Sequence, residues 1–412
     1  MFFDIIFFIY TLIYSPYLIL TGRWYKGYSC RLGLIPSSIK KRLSSTSSVW
    51  IHAVSVGEIM AIASMVEKIA LHFPAYTIVV TTTTKTGYEL AKNKFKDKIV
   101  VLPSPLDFSW VSSIFVRVVK PKIYLAAETE IWPNLFHCLH KQKVPIVMIN
   151  GRISDVSFGR YKAIKFLLRG TLKEVSWFCM QSDTNAQRII ELGADKEKVS
   201  IVGNIKFDDF IAKQDSAVQI PRFKTRPLWV AGSTHPGEEK IILDAFVKYK
   251  ESWALAIAPR HVERSDEIIS LIHSYGLKAV RLSQVSSDSF SEEMVLVVDT
   301  IGQLREFYAQ ASLVFVGKSL CVGGGHNIIE PAFYTKSIIV GPLMQNFKDI
   351  IVLFKAQGAI VQVADINEFE QQVACLMKDK NLRTQLGQRA YSVVKANQGA
   401  GNRTVKMLEK WI

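Results

Sequence analysis

The chain has 412 residues, 51 of them basic and 36 acidic, for a formal net charge of +15. That is too long for one ordinary core and suits two domains of roughly 150–200 residues each. With 49% hydrophobic and 21% charged residues the composition is that of a globular protein, and aliphatic runs alternating with helical patterns exclude an all-β fold in favour of α/β.

Phe2 to Leu20 is almost wholly apolar and aromatic, interrupted by Asp4 and Pro16. A spanning helix needs about 20 apolar residues. The segment therefore reads as a membrane anchor over residues 1–22, either a single span or a helix lying in the interface, with a buried amino-terminal helix as the alternative. It lacks the basic start and small-residue cleavage site of a signal peptide, and it carries no lipidation signal. Trp24, Tyr25 and Tyr28 follow, mixed with Arg23, Lys26 and Arg31. Such an aromatic, basic belt marks a membrane interface, and the positive-inside rule then leaves the rest of the chain in the cytoplasm.

Lys40 to Ser48 reads as a Ser/Thr-rich linker. Strand-like runs then recur at α/β spacing: Val49–Ala53, Thr77–Thr82, Ile99–Leu102, Ile123–Ala127, Pro145–Ile149, Phe178–Gln181 and Val199–Gly203. Asp208 to Pro227 is polar, carries two prolines and lacks clear periodicity, so it reads as the interdomain linker. A second series follows at Leu228–Ala231, Trp253–Ala258, Val295–Val298, Leu313–Val316, Ser337–Val340 and Ala359–Val363. Two such series predict two doubly wound, Rossmann-like domains, over residues 48–207 and 228–412. Ligands in such sheets bind beyond the carboxyl ends of the strands, and the expected site is a cleft between facing domains.

The basic excess implies an anionic partner: nucleic acid, an anionic membrane or a phosphorylated substrate. No zinc-finger spacing, Arg-rich tract or stacking-platform motif supports nucleic acid. The five cysteines are scattered, odd in number and without a C-x-x-C pair, as for free thiols in a reducing compartment. His137, Cys138 and His140 lie close together, but no further residues stand at metal-ligand spacing, so no metal is expected.

Candidate chemistry sits at strand ends. Glu58 follows Gly57 at the start of a helix, where a carboxylate either takes a proton from an incoming hydroxyl or only complements the helix dipole. Glu128 and Glu130 exit a buried strand, where paired acids are costly unless something uses them. Lys206, in Gly203–Asp208, either meets an anion or is a surface lysine. In the second half, Gly232-Ser233-Thr234-His235 offers amides and hydroxyls at a helix start. Arg260 is placed to grip phosphate with two prongs, and Ile301-Gly302-Gln303 opens a helix. Gly323-Gly324-Gly325 brings backbone amides close to a ligand, with Glu330 one turn along for a ribose or base hydroxyl. No Walker lysine motif or dinucleotide fingerprint is present.

Seven motifs then stand in order: V-S-V-G-E at Val54–Glu58, E-T-E-I-W-P-N at Glu128–Asn134, N-G-R-I-S at Asn150–Ser154, G-N-I-K-F-D at Gly203–Asp208, G-S-T-H-P-G-E-E at Gly232–Glu239, P-R-H-V-E-R at Pro259–Arg264 and G-G-H-N-I-I-E-P at Gly324–Pro331. Together they resemble the bacterial lipid A 3-deoxy-D-manno-octulosonic acid (Kdo) transferases. The resemblance implies a GT-B fold and inverting transfer of Kdo from CMP-Kdo to a phosphorylated lipid A precursor. It implies no cofactor, and a place on the cytoplasmic face of the inner membrane with its anionic leaflet. It implies Glu58 as general base, Glu128 and Lys206 as supports of the transition state, and Pro259, Arg260, Ile301, Gly302, Gln303, Asn327, Ile328, Ile329 and Glu330 as the CMP site. Lys318 departs from the pattern, since many relatives have glycine there. A GT-B enzyme using a UDP-sugar and a non-catalytic nucleotide-binding membrane adaptor are the competing readings.

Overall fold

The computed structural model describes residues 2–20, 28–208, 221–285 and 291–412. They form two compact units, Met1–Asp209 with Gln398–Ile412, and Phe210–Asn397.

The first unit carries seven parallel strands: β1 (Ser48–His52), β2 (Thr77–Thr82), β3 (Val100–Pro103), β4 (Pro121–Ala127), β5 (Ile146–Gly151), β6 (Trp177–Met180) and β7 (Val199–Ile201). Their order is β3-β2-β1-β4-β5-β6-β7. Side chains alternate across a strand, and helices cover both faces. Trp50 and Tyr124 point to the face where Phe115 and Phe136 pack. Val49, Ile51, Ile123 and Leu125 point to the other, against Ile59, Ile62 and Val66 of the helix Val56–His72. Burial on both faces is why these strands read as continuous apolar runs.

The second unit repeats the plan with β8 (Leu228–Thr234), β9 (Ala254–Pro259), β10 (Ala279–Arg281), β11 (Val295–Val297), β12 (Ala311–Val316), β13 (Ser337–Val340) and β14 (Val361–Gln362), in the order β10-β11-β9-β8-β12-β13-β14. The doubly wound α/β expectation holds in both. In each sheet the winding reverses beside the first strand, between β1 and β4 and between β8 and β12. A crevice opens at such a switch point. Of the fourteen strands, only the half-buried edge strand β10 has no counterpart in the sequence reading, because three residues give too little pattern.

Three boundaries differ from expectation. The stretch read as a linker, Lys40–Ser48, starts inside the helix Ser37–Leu43, whose Leu43 is fully buried, and ends on the first residue of β1. The last helix, Ala400–Leu408, belongs to the first unit rather than with residues 228–397. Its apolar face, Ala400, Val405 and Leu408, joins the core beside β1 and β4. Asp208 caps it: one carboxylate oxygen accepts the Gly399 amide and the other the Gly401 amide, both at 2.6 Å. The expected linker 208–227 is likewise only partly free. Residues 209–220 lie outside the described residues. Beyond them, Glu292 accepts the amides of Lys224, Thr225 and Arg226, and Gln310 accepts that of Phe223, which ties this stretch to the second unit.

The amino-terminal segment is a helix, Phe2–Leu20, and Asp4 docks it. Its carboxylate accepts the Ser109 amide at 2.7 Å and the Asn134 side-chain amide at 3.3 Å, and Phe7 meets Phe108 edge-on at 5.0 Å. Ile5, Ile6, Phe8, Ile9, Leu12 and Ile13 are exposed. Among the described residues no helix is long and apolar enough to cross a membrane.

Asp208→Ala should cost about 1.5–3 kcal/mol of first-unit stability, the range for hydrogen bonds to a charged group. Chemical denaturation measures it, and limited proteolysis should release the carboxyl-terminal segment earlier. Unchanged stability and unchanged cleavage would show that the cap is dispensable.

Candidate active site

The acids of the first unit meet at the β1/β4 switch point. Ser55 caps the helix Val56–His72 by accepting the Glu58 amide, and Glu58 reaches back to accept the Val54 amide at 2.7 Å and the Ser55 hydroxyl at 3.1 Å. This reciprocal S-x-x-E arrangement is a variant of the capping box in which the acid takes the amide one residue before the N-cap. It fixes the rotamer of a half-buried carboxylate at the carboxyl edge of the sheet. Burial raises the Glu58 pKa, the Val54 amide opposes the rise, the Glu128 charge adds to it, and Lys206 draws it down. The cap and the base are thus compatible roles for one side chain.

Glu128 leaves β4 with φ at +55°, a left-handed conformation that costs a non-glycine residue roughly 1 kcal/mol and recurs where backbone is forced into a functional shape. Its amide is held by the Ile149 carbonyl at 2.9 Å. Glu130 lies close enough to feel both neighbours: burial, then the charges of Glu58 and Glu128, push its carboxyl up to about 8. Lys206 arrives from the far side of the sheet through Asn150. The fully buried Asn150, at φ +53° on the end of β5, accepts the Ile205 amide at 3.1 Å. Asn204 caps the short turn by accepting the Lys206 amide at 3.0 Å. Sequence reading treated Asn150 only as part of a motif; its buried amide group is what sets the lysine beside the acids.

In the second unit the expected CMP residues follow the ends of β11 and β9 on one side of β8 and of β12 on its other side. Pro259 ends β9, and the exposed Arg260 is fixed by its amide to the Thr234 carbonyl of β8 at 3.0 Å. Ile301 is 84% exposed past β11, and Gly302 has φ +107°. Gln303 is buried, its side-chain amide oxygen Oε1 without a hydrogen-bond partner among the described residues. Asn327 accepts the Ile329 amide at 3.0 Å and so shapes the turn before the helix Ile329–Phe333. The side chains of Ile328 and Ile329 are fully buried core, which leaves only their main chain to face a nucleotide. Glu330 sits 3.5 Å from Arg305; burial raises its pKa and Arg305 opposes the rise.

The amides expected to bind phosphate are differently employed. The Glu238 carboxylate, fully buried, accepts the amides of His235, Lys318, Ser319 and Leu320 at 2.8–3.0 Å. Within the glycine run, the Gly324 amide goes to Gln345 and the Leu343 carbonyl, and the Gly325 amide to the Lys318 carbonyl. Gly324 and Gly325, at φ +122° and +71°, let the loop close on the turn at Met344. Glu239 is also spoken for, in a two-pronged pair with Arg264 at 2.7 and 3.2 Å that joins two of the sequence motifs. Side-chain charge is also on offer to an anion. Arg260, Lys318 and three histidines gather here: the His235 and His326 rings lie end to end, with planes 23° apart and centroids 5.3 Å apart, and His261 meets His235 edge-on at 5.8 Å. Each histidine lies just past a strand end or in the loop after β12, a signal the sequence contained but that lone histidines do not announce. Among the described residues no group of three or more His, Cys, Asp or Glu is arranged to hold a metal ion.

Comparison with known proteins decides what this geometry belongs to. A family model described as 3-deoxy-D-manno-octulosonic-acid transferase (kdotransferase) matches residues 26–209, and one described as glycosyl transferases group 1 matches residues 241–393. The 3-deoxy-D-manno-octulosonic acid transferase of Haemophilus influenzae is 33% identical, across 88% of this chain and 87% of its own length. The chain belongs to the Kdo transferase family. A bifunctional glycosyltransferase/methyltransferase of Fusobacterium nucleatum is 37% identical over 83% of the chain, which spans only 56% of that protein's length. The UDP-GlcNAc 2-epimerase of Neisseria meningitidis, with 15% identity and a TM-score of 0.59 over 88% of the chain and all of its own, shares the fold of this Kdo transferase family member.

The Glu130 shift makes stability depend on pH. Between the ordinary carboxyl range and about 8, the folded chain holds a proton that the unfolded chain releases. This contribution is therefore whole below the unfolded value and is lost as pH rises through about 8. Glu130→Gln keeps the neutral form at every pH. Its thermal midpoint should match wild type at pH 5 and exceed it at pH 8–9; parallel pH profiles would contradict the buried-acid assignment.

Proposed function

We propose that the chain is an inverting transferase that moves Kdo from CMP-Kdo to a hydroxyl of a phosphorylated lipid A precursor. The first unit takes the acceptor and the second unit the donor. The observation that carries this reading is the fixed Glu58 carboxylate, made more basic by burial and by Glu128, at the β1/β4 switch point with Lys206 beside it.

Inversion needs one displacement and one base. The acceptor oxygen attacks the anomeric carbon, its proton passes to Glu58, and the bond from that carbon to the phosphate oxygen breaks, releasing CMP. A positioned base of this kind contributes typically about 10²–10⁴-fold. Lys206 and Glu128 keep Glu58 ionised yet basic, and Glu130, pushed up to about 8, stays a neutral hydrogen-bond donor near pH 7. On the donor side Arg260, Pro259, Ile301 to Gln303 and Asn327 to Glu330 would hold CMP. The leaving phosphate gains negative charge as the bond breaks, and side-chain cations stabilise it best in a water-poor site. The exposed apolar face of the helix Phe2–Leu20 would rest in the cytoplasmic leaflet of the inner membrane, where the +15 charge favours anionic lipid and a phosphorylated acceptor.

Glu58→Gln is a clean test, because glutamine also completes a capping box. Transfer from CMP-Kdo should fall by at least about 10²-fold, with CMP affinity and thermal midpoint near wild type. Near-normal turnover would place the base elsewhere, with Glu128 or Glu130 next. Unfolding would make the cap the whole role of Glu58.

A further inference from the structure

His235 and His326 face each other through their Nε2 atoms at 3.1 Å. A hydrogen bond at that distance needs one N–H and one lone pair. The pair can therefore be neutral or carry one extra proton, but not two, since two Nε2–H groups would collide. The surroundings oppose even one. Arg260 reaches the pair from the end of β9 with His261 beside it, Lys318 from the end of β12, and Arg264 adds charge near His235; only Glu239 acts the other way on His235. Burial and these cations push His326 down to about 4, and His235 is lowered by the same kinds of neighbour. Glu238 is close by, but its carboxylate is already enclosed by four amides.

Lys318 sharpens the arrangement. Its φ is +61°, a conformation glycine takes without strain. Here the chain accepts a lysine in a glycine-like backbone position and gains a cation facing both histidines. The cluster gathers several positive charges around an uncharged histidine pair. That is an unfavourable arrangement which an arriving anion reverses.

We infer that the His235–His326 pair is a proton-accepting clamp for a phosphate dianion, loading one proton from solvent when a nucleoside monophosphate binds between it, Arg260 and Lys318. The clamp rests on the donor-site reading above and adds a preference to it. In a sugar nucleotide the phosphate is a diester with one negative charge; once the sugar has left, it is a monoester with a second pKa near 6 and close to two charges at neutral pH. A pair that charges only against the dianion favours the state in which the bond to the sugar has broken. It would release its proton as the nucleotide departs.

Calorimetry of CMP binding at pH 7.5, in buffers of different ionisation enthalpy, tests this directly. Free CMP is already almost fully dianionic there, so net uptake reports protein groups. Wild type should take up a proton in amount approaching about one per CMP bound, while cytidine, which lacks the phosphate, should bind without uptake. His326→Asn should still bind CMP, with roughly tenfold or greater loss of affinity, and lose the uptake. His261→Asn should keep it. CMP binding with no proton uptake by wild type, or uptake that persists in His326→Asn, overturns the clamp and leaves the donor site standing. No CMP binding by wild type overturns the donor site itself. If His326→Asn fails to fold, the wild-type comparison of CMP with cytidine decides alone.

Discussion

A parallel sheet covered by helices on both faces has nowhere to place a working polar side chain except at the ends of its strands. Both units of this chain obey that constraint. Trp50, Tyr124, Trp229 and Phe315 fill the strand interiors, all fully buried. Glu58, Glu128 and Glu130 stand past β1 and β4, and His235, Arg260 and His326 stand past β8, β9 and β12. The reversal of winding beside β1 and β8 then parts two neighbouring loops and leaves room between them for a ligand. Chemistry follows from topology here, since each switch point collects the residues that the sheet cannot bury.

The same constraint explains how much of the local polarity is self-consumed. Loops that leave a buried sheet carry main-chain amides that need acceptors. The chain supplies its own: Glu238 takes four, Glu292 takes three and Asp208 takes two. These internal carboxylates make the loops rigid, and they also remove amides from the pool available to a ligand. The second unit still presents Arg260, Lys318 and three histidines at its strand ends. The first unit holds three acids together, and burial first, then their mutual repulsion, raises Glu58 and Glu130. Tuning of this kind lets one carboxyl act as a base while its neighbour stays protonated.

Much of this was legible in the sequence. Strands buried on both faces announce themselves as aliphatic runs, and Glu58, Glu128, Lys206 and Arg260 follow such runs directly. What escaped depends on partners distant along the chain. The helix Ala400–Leu408 packs its apolar face on the core beside β1 and β4 and takes its cap from Asp208, partners that lie more than 190 positions earlier in the chain. The run Gly323 to Gly325 looks like a phosphate loop until Gln345 and the Lys318 carbonyl are seen to take its amides. His235 and His326 are 91 positions apart, and nothing in either local stretch signals that they share a hydrogen bond. Asp4 reads as a flaw in an apolar segment, whereas it docks that segment on Ser109 and Asn134.

The central claim is the identity of the transferred group and its carrier. The most direct measurement incubates the purified full chain with a detergent-dispersed lipid A precursor and either CMP-Kdo or a panel of UDP-sugars, and reads the lipid by mass spectrometry. The account predicts that only CMP-Kdo adds mass, in whole Kdo residues, with one CMP released per residue added. A lipid that gains a sugar from a UDP donor, and none from CMP-Kdo, would contradict it.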